Sequence, residues 1–145
     1  MAARSKARKR ALDILFEAEL RGLPVLDLLA ERSEPAADPT LVPPAFPPVS
    51  AYAAELVRGV QEHRDQIDEM LAAHSEGWTL DRMPAVDRNI LRIGAYELIW
   101  APDVPDGVAI SEAVLLAREL STDSSPAFIN GLLARLAEVR DAAGA

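Results

Sequence analysis

Cysteine is absent from the 145 residues. This excludes disulfides, thiolate nucleophiles and every zinc or iron–sulfur site built on thiolate ligands. Such a chain suits a reducing compartment, and the cytoplasm is the expected location. Histidine numbers only two. His63 and His74 lie eleven positions apart on one predicted helix, three turns from each other, which rules out a two-histidine metal motif. Glycine-rich phosphate loops are missing, because the seven glycines are scattered among helix ends, loops and the isolated positions Gly59, Gly94 and Gly131. The hydroxyl run Ser121, Thr122, Asp123, Ser124, Ser125 has no neighbouring histidine or glycine elbow to activate a nucleophile, and helix capping accounts for it. No apolar run approaches a membrane span, and Asp13 and Glu17 interrupt the one N-terminal stretch that could pass for a signal peptide. Carboxylates are plentiful, yet an acidic solvated surface explains them without a paired acid and base. Neither enzyme activity, a metal nor a cofactor is expected.

What is present begins with an uneven charge distribution. Arg4, Lys6, Arg8, Lys9 and Arg10 crowd the first ten residues with no acid among them. Against a formal net charge of −8, these five cations leave −13 on the other 135 residues. A short basic arm on an acidic body is the footprint of a segment that seeks phosphates while the body avoids polyanions. RNA is the leading candidate ligand on this ground. The plain alternative is a frayed, solvated terminus.

The length fits a single domain over residues 1–145 with a sizeable apolar core. Apolar residues recur at helical spacing almost throughout and nowhere alternate with period two, which predicts an all-α bundle of six to seven helices. The first helix runs from about Ser5 to Arg21 with an inner stripe of Ala11, Leu12, Leu15 and Ala18, flanked by Phe16 and Leu20. Gly22 ends it and Pro24 opens a short second helix to about Arg32. Six of the eleven prolines fall in residues 33–48, an exposed Pro-rich linker. Ser50 caps a long helix extending to Gly77. Pro84 restarts a helix that reaches Trp100 and is apolar on several faces, as befits the middle of a bundle. A helix around Ser111 to Leu120 follows, and Ser125-Pro126 reads as N-cap and first residue of the last helix, with Ile129, Leu132, Leu133, Leu136 and Val139 inward. Asp87, Arg88 and Arg92 form the polar edge of the central helix. They are either ion-paired on the surface or a second phosphate-contacting patch.

Three ordered motifs add a family. Residues 80–98, LDRMPAVDRNILRIGAYEL, resemble the signature of the NusB family of bacterial transcription antitermination factors. Val108 to Val114, VAISEAV, and Ser125 to Leu133, SPAFINGLL, are similar to two further family motifs. Ala11 to Phe16 matches the pattern of its arginine-rich first helix.

The resemblance implies an all-helical protein that recognises the boxA element of nascent ribosomal RNA leaders with ribosomal protein S10, and joins an antitermination complex on RNA polymerase. It implies RNA contacts at Arg4, Lys6 and Arg8 of the arm, at Arg88 and Arg92, and at Phe128, which would stack on a base; Lys9 and Arg10 of the same basic arm are expected to join them. Phe16, Leu20 and Asp87 match positions that face S10. Single-stranded RNA is commonly held by cations plus aromatic stacking, and S10 is a basic protein that an acidic surface attracts. Ser124 stands where the family often has an acid, which alters the expected hydrogen bond to a base edge. A homodimer is a further partner the resemblance suggests. The alternatives are a domain like the RNA-binding part of certain ribosomal RNA methyltransferases, disfavoured because the sequence stops at Ala145 without a cofactor domain, and a module that binds protein only.

Overall fold

The computed structural model describes residues 3–34 and 46–144, so most of the Pro-rich stretch lies outside the described residues. Among those described there are seven α-helices and no strand: α1 (Ala3–Arg21), α2 (Val25–Ser33), α3 (Ala51–Glu62), α4 (Arg64–His74), α5 (Ala85–Trp100), α6 (Asp106–Leu120) and α7 (Ser125–Gly144). One 3-10 turn, Leu80–Arg82, precedes α5. The all-α expectation holds.

Local chemistry sets several boundaries. Gly22 takes φ +65°, a left-handed conformation that costs other residues strain, and the Leu23 N–H closes back on the Ala18 carbonyl at 2.9 Å. Ser50 caps α3 as expected, its hydroxyl accepting from the Ala53 N–H at 3.2 Å. The long helix expected from Ser50 to Gly77 is instead two helices that meet at His63, whose backbone leaves the helical region (φ −105°, ψ 17°). Neither proline nor glycine marks this bend. It lets Ile67 and Leu71 of α4 stay buried while the His63 imidazole stacks on Trp100, ring centres 4.0 Å apart.

α5 occupies the middle and packs on α1, α3, α4, α6 and α7. Ile90, Leu91, Ile93, Ala95 and Leu98 are buried along it. At Gly94 a Cβ would lie 2.7 Å from a methyl of Leu133, so the absent side chain is what lets α5 and α7 approach this closely. The opposing stripe of α7 contributes Ile129, Leu132, Leu133 and Leu136, all buried. α5 also buries Asp87, Asn89, Arg92 and Glu97. Polar groups at such depth must be matched by partners, and the partners decide what the surface can offer.

Candidate RNA and protein interface

The first ten residues were expected to form a basic arm. From Ala3 onward they are the start of α1, and their cations are not equivalent. Arg8 is buried, with its Nε 2.9 and 3.1 Å from the two Glu97 oxygens and its Nη2 2.9 Å from Glu97. Its Nη1 reaches Glu112 at 3.2 Å. The Ser5 hydroxyl donates to Glu112 and the Tyr52 hydroxyl to Glu97. Burial works against the Arg8 charge, but the Glu97 carboxylate more than offsets it and the pKa is raised. Burial, followed by the hydrogen bond to Glu97 and then its charge, pushes the Tyr52 phenol above its ordinary value. Arg10 is also buried, donating from Nε to the Pro47 carbonyl at 3.0 Å. Arg8 and Arg10, both expected to meet phosphates, are thus turned inward onto protein acceptors, and Arg10 Nη2 is buried with no hydrogen-bond partner among the described residues. Arg4 remains exposed, bonded to Asp103 at 3.0 Å and lying over the Tyr52 ring. Lys6 and Lys9 are exposed, with no ion-pair partner among the described residues.

The second expected phosphate patch is neutralised in the same way. Arg92, 4% exposed, grips Asp68 through Nε and Nη2 at 2.9 and 3.0 Å, and Glu19 and Asn89 through Nη1 at 3.0 Å. Arg88 donates to both Glu19 oxygens and, from Nη1, to the Leu80 and Met83 carbonyls at 2.9 Å. Burial alone would raise the Glu19 carboxyl, but hydrogen bonds and charge from Arg88 and Arg92 bring it below the usual carboxylate range. These arginines tie α5 to α1 and α4, whereas RNA contacts were expected of them. Asp87, expected to face S10, is likewise turned inward. It is completely buried, accepting from the Ser121 hydroxyl and from Ser125 Oγ at 2.6 Å, and fastens α5 to the turn before α7. Ser125 thus bonds Asp87 with the hydroxyl expected to cap its own helix.

At the start of α7, Ser124 is exposed and Phe128 is half-buried. The Phe128 ring rests against Trp78, centres 5.3 Å apart and tilted by 60°, and the two line a shallow recess with Glu76, Gly77 and Ser124. Phe128 therefore packs on the core with one part and keeps an accessible part beside a second aromatic ring. Trp78 was not expected there. No cluster of three or more His, Asp or Glu arranged to hold a metal occurs among the described residues, and none of their helices is long and apolar enough to cross a membrane.

The outer face of α1 organises what remains. Lys6, Lys9, Asp13, Phe16 and Leu20 follow one another in steps of three and four, which places them on a single stripe of an α-helix. Lys6, Lys9 and Asp13 are exposed, Phe16 is half-exposed and Leu20 is 64% exposed. This stripe is cationic at its start and apolar at its end over about 21 Å. The NusB family model matches residues 5–138. The chain belongs to the NusB family. It is 57% identical to the transcription antitermination protein NusB of Kineococcus radiotolerans over 141 residues, covering 97% of each chain. The NusB of Thermobifida fusca is 55% identical over 136 residues, covering 94% of this chain and 89% of that one. Among solved structures, T. maritima NusB superposes with a TM-score of 0.76 at 32% identity, covering 94% and 92% of the two chains. A crystal structure of the antitermination factors NusB and NusE with double-stranded RNA matches with a TM-score of 0.71 at 26% identity, covering 94% of this chain and 96% of that one.

In this NusB-family chain the residues missed from sequence are mainly acids: Glu19, Asp68, Glu97 and Glu112. Glu97 carried the one usable signal. It sits among Tyr96, Leu98 and Ile99 on a helix apolar on several faces, where a carboxylate has to be paired.

Proposed function

We propose that this chain is an RNA-binding transcription antitermination factor that recognises the single-stranded boxA element of ribosomal RNA leaders together with NusE (ribosomal protein S10), in the cytoplasm and as part of a complex on RNA polymerase. The carrying observation is the divided stripe of α1. Lys6 and Lys9 offer unpaired charges for phosphates, and Phe16 and Leu20, one turn apart at the other end, offer an apolar face for a protein. Two partners bound along one helix would touch each other, which suits joint recognition. The similarity to a NusB solved with NusE and RNA supports the pairing of partners. Phe128 and Ser124 supply a second RNA contact by stacking and hydrogen bonding. No bond is made or broken, and the activity is assembly.

The two halves of the stripe are tested separately. Lys6→Ala/Lys9→Ala should weaken boxA binding and flatten the plot of log affinity against log salt by about 1.4, at ~0.7 per lost phosphate contact, with S10 affinity kept. Phe16→Ala/Leu20→Ala should do the reverse, losing S10 in calorimetry while RNA binding alone is unchanged. An unaltered salt slope in the first variant removes the RNA half of the stripe.

A further inference from the structure

The first two turns of α1 are a poor place to begin a helix on local grounds. They hold five cations and no acid at the end where the macrodipole is positive. Arg4 and Arg8 stand one turn apart as like charges, as do Lys6 and Arg10. Isolated, such a segment frays. In the folded protein it is helical from Ala3, and the acids that hold it come from elsewhere in the chain. Glu97 near the end of α5 takes Arg8 with both oxygens, its carboxylate further engaged by the Tyr52 hydroxyl. Glu112 of α6 takes both Arg8 and the Ser5 hydroxyl. Arg8 points inward to these acids, so Lys6 and Lys9 are turned outward by the same helix geometry.

We propose that Glu97 and Glu112 are positioning residues for RNA binding, fixing the start of α1 as a helix so that Lys6 and Lys9 stand ready as a preformed pair of phosphate contacts. The proposal rests on the reading that Lys6 and Lys9 face RNA. Its consequence runs against simple electrostatics. Removing a carboxylate from a chain of net charge −8 should strengthen binding to a polyanion. Here removal weakens it, because RNA must then order the helix start at its own free-energy cost.

The test measures anisotropy of a labelled single-stranded boxA RNA at fixed ionic strength, with amide hydrogen exchange over residues 3–10. Glu97→Gln and Glu112→Ala should each weaken binding about 3- to 10-fold, equivalent to ordering roughly one residue, with exchange accelerated at the start of α1 and the rest of that helix protected. Should Glu97→Gln fail to fold because Arg8 is orphaned, Glu112→Ala decides alone. Arg8→Met/Glu97→Met replaces the buried pair by apolar groups of similar length, keeps the helix start packed, and should bind RNA within about twofold of wild type. Wild-type or tighter binding by the single variants overturns the proposal. So does a loss in the double methionine variant with exchange protection intact, which would make Arg8 itself an RNA contact. Lys6→Ala/Lys9→Ala serves as the control, and unchanged affinity there defeats the underlying reading instead.

Discussion

Asp87→Ala separates a structural carboxylate from one that meets a partner. The side chain is completely buried in the first turn of α5 and accepts hydrogen bonds from Ser121 and Ser125. A hydrogen bond to a charged group contributes about 1.5–3 kcal/mol, and a carboxylate in the first turn gains roughly 0.3–1 kcal/mol from the helix dipole. Part of the loss is recovered. Ser125 Oγ already lies 3.1 Å from Ser121 Oγ and 2.8 Å from Thr122 Oγ1, so the orphaned hydroxyls can satisfy one another. A net cost of about 3 kcal/mol follows, which for a chain of 145 residues lowers the melting temperature by roughly 6–12 °C. Asp87→Asn, able to accept one of the two bonds, should cost about half as much. Circular dichroism melts give these shifts, and calorimetry with S10 on the folded variants gives the partner affinity, expected to be unchanged. A melting temperature within about 2 °C of wild type for Asp87→Ala, together with a clear loss of S10 affinity, would show that the carboxylate reaches the partner and that its burial had been misread.

Three other perturbations address different parts of the molecule. Glu19 has its carboxyl held below the ordinary value, so its contribution to stability is complete above that value and is lost as pH falls through the lowered one; acid melts of wild type should steepen below about pH 4.5, and Glu19→Gln should flatten that dependence. Gly59→Ala would place a Cβ 2.2 Å from the Tyr96 ring, forcing the ring off its stack beside His63 and Trp100, at a cost of about 1–3 kcal/mol in denaturant titration. Phe128→Ala removes a half-buried ring, so it should lower both the melting temperature and RNA affinity, the latter by roughly 1–3 kcal/mol if one base is stacked; a lowered melting temperature with unchanged affinity assigns the ring to packing alone.

Much of the architecture could be read from residues whose effect is local. Gly22, Pro24 and Ser50 mark helix ends through backbone geometry or a single hydrogen bond. α5 was recognisable as the central helix because its apolar residues exceed one face. The break at His63 escaped because no proline stands there and the imidazole finds its stacking partner, Trp100, on another helix. The candidate site was less legible for a related reason. Asp87, Arg88 and Arg92 read as the wet edge of a helix, since a polar residue on a helical repeat defaults to solvent. Their partners stand 34 and 38 residues away for Asp87, and 24 to 73 residues away among the acids that hold the two arginines. Pairing at such separation leaves no periodic trace.

That hidden pairing bears on how an acidic protein can hold a polyanion at all. Arg8, Arg88 and Arg92 spend their charge inside, joining α1 to α5 and α6, and α5 to α4, so they lend the surface little field for RNA to feel. Lys6 and Lys9 remain at the start of the outward stripe of α1, and Arg4 beside them is bonded only to the exposed Asp103. An exposed pair of this kind contributes at most about 1 kcal/mol and yields readily to a phosphate. Concentrating cations at one helix start of a chain of net charge −8 would, on the proposed reading, favour a short strand laid over that place. Affinity from so few phosphates is modest. On the proposed reading, a second protein seated on the apolar far end of the same stripe, at Phe16 and Leu20, would bring its own contacts to a strand held at Lys6 and Lys9, and each partner would raise the effective concentration of the other.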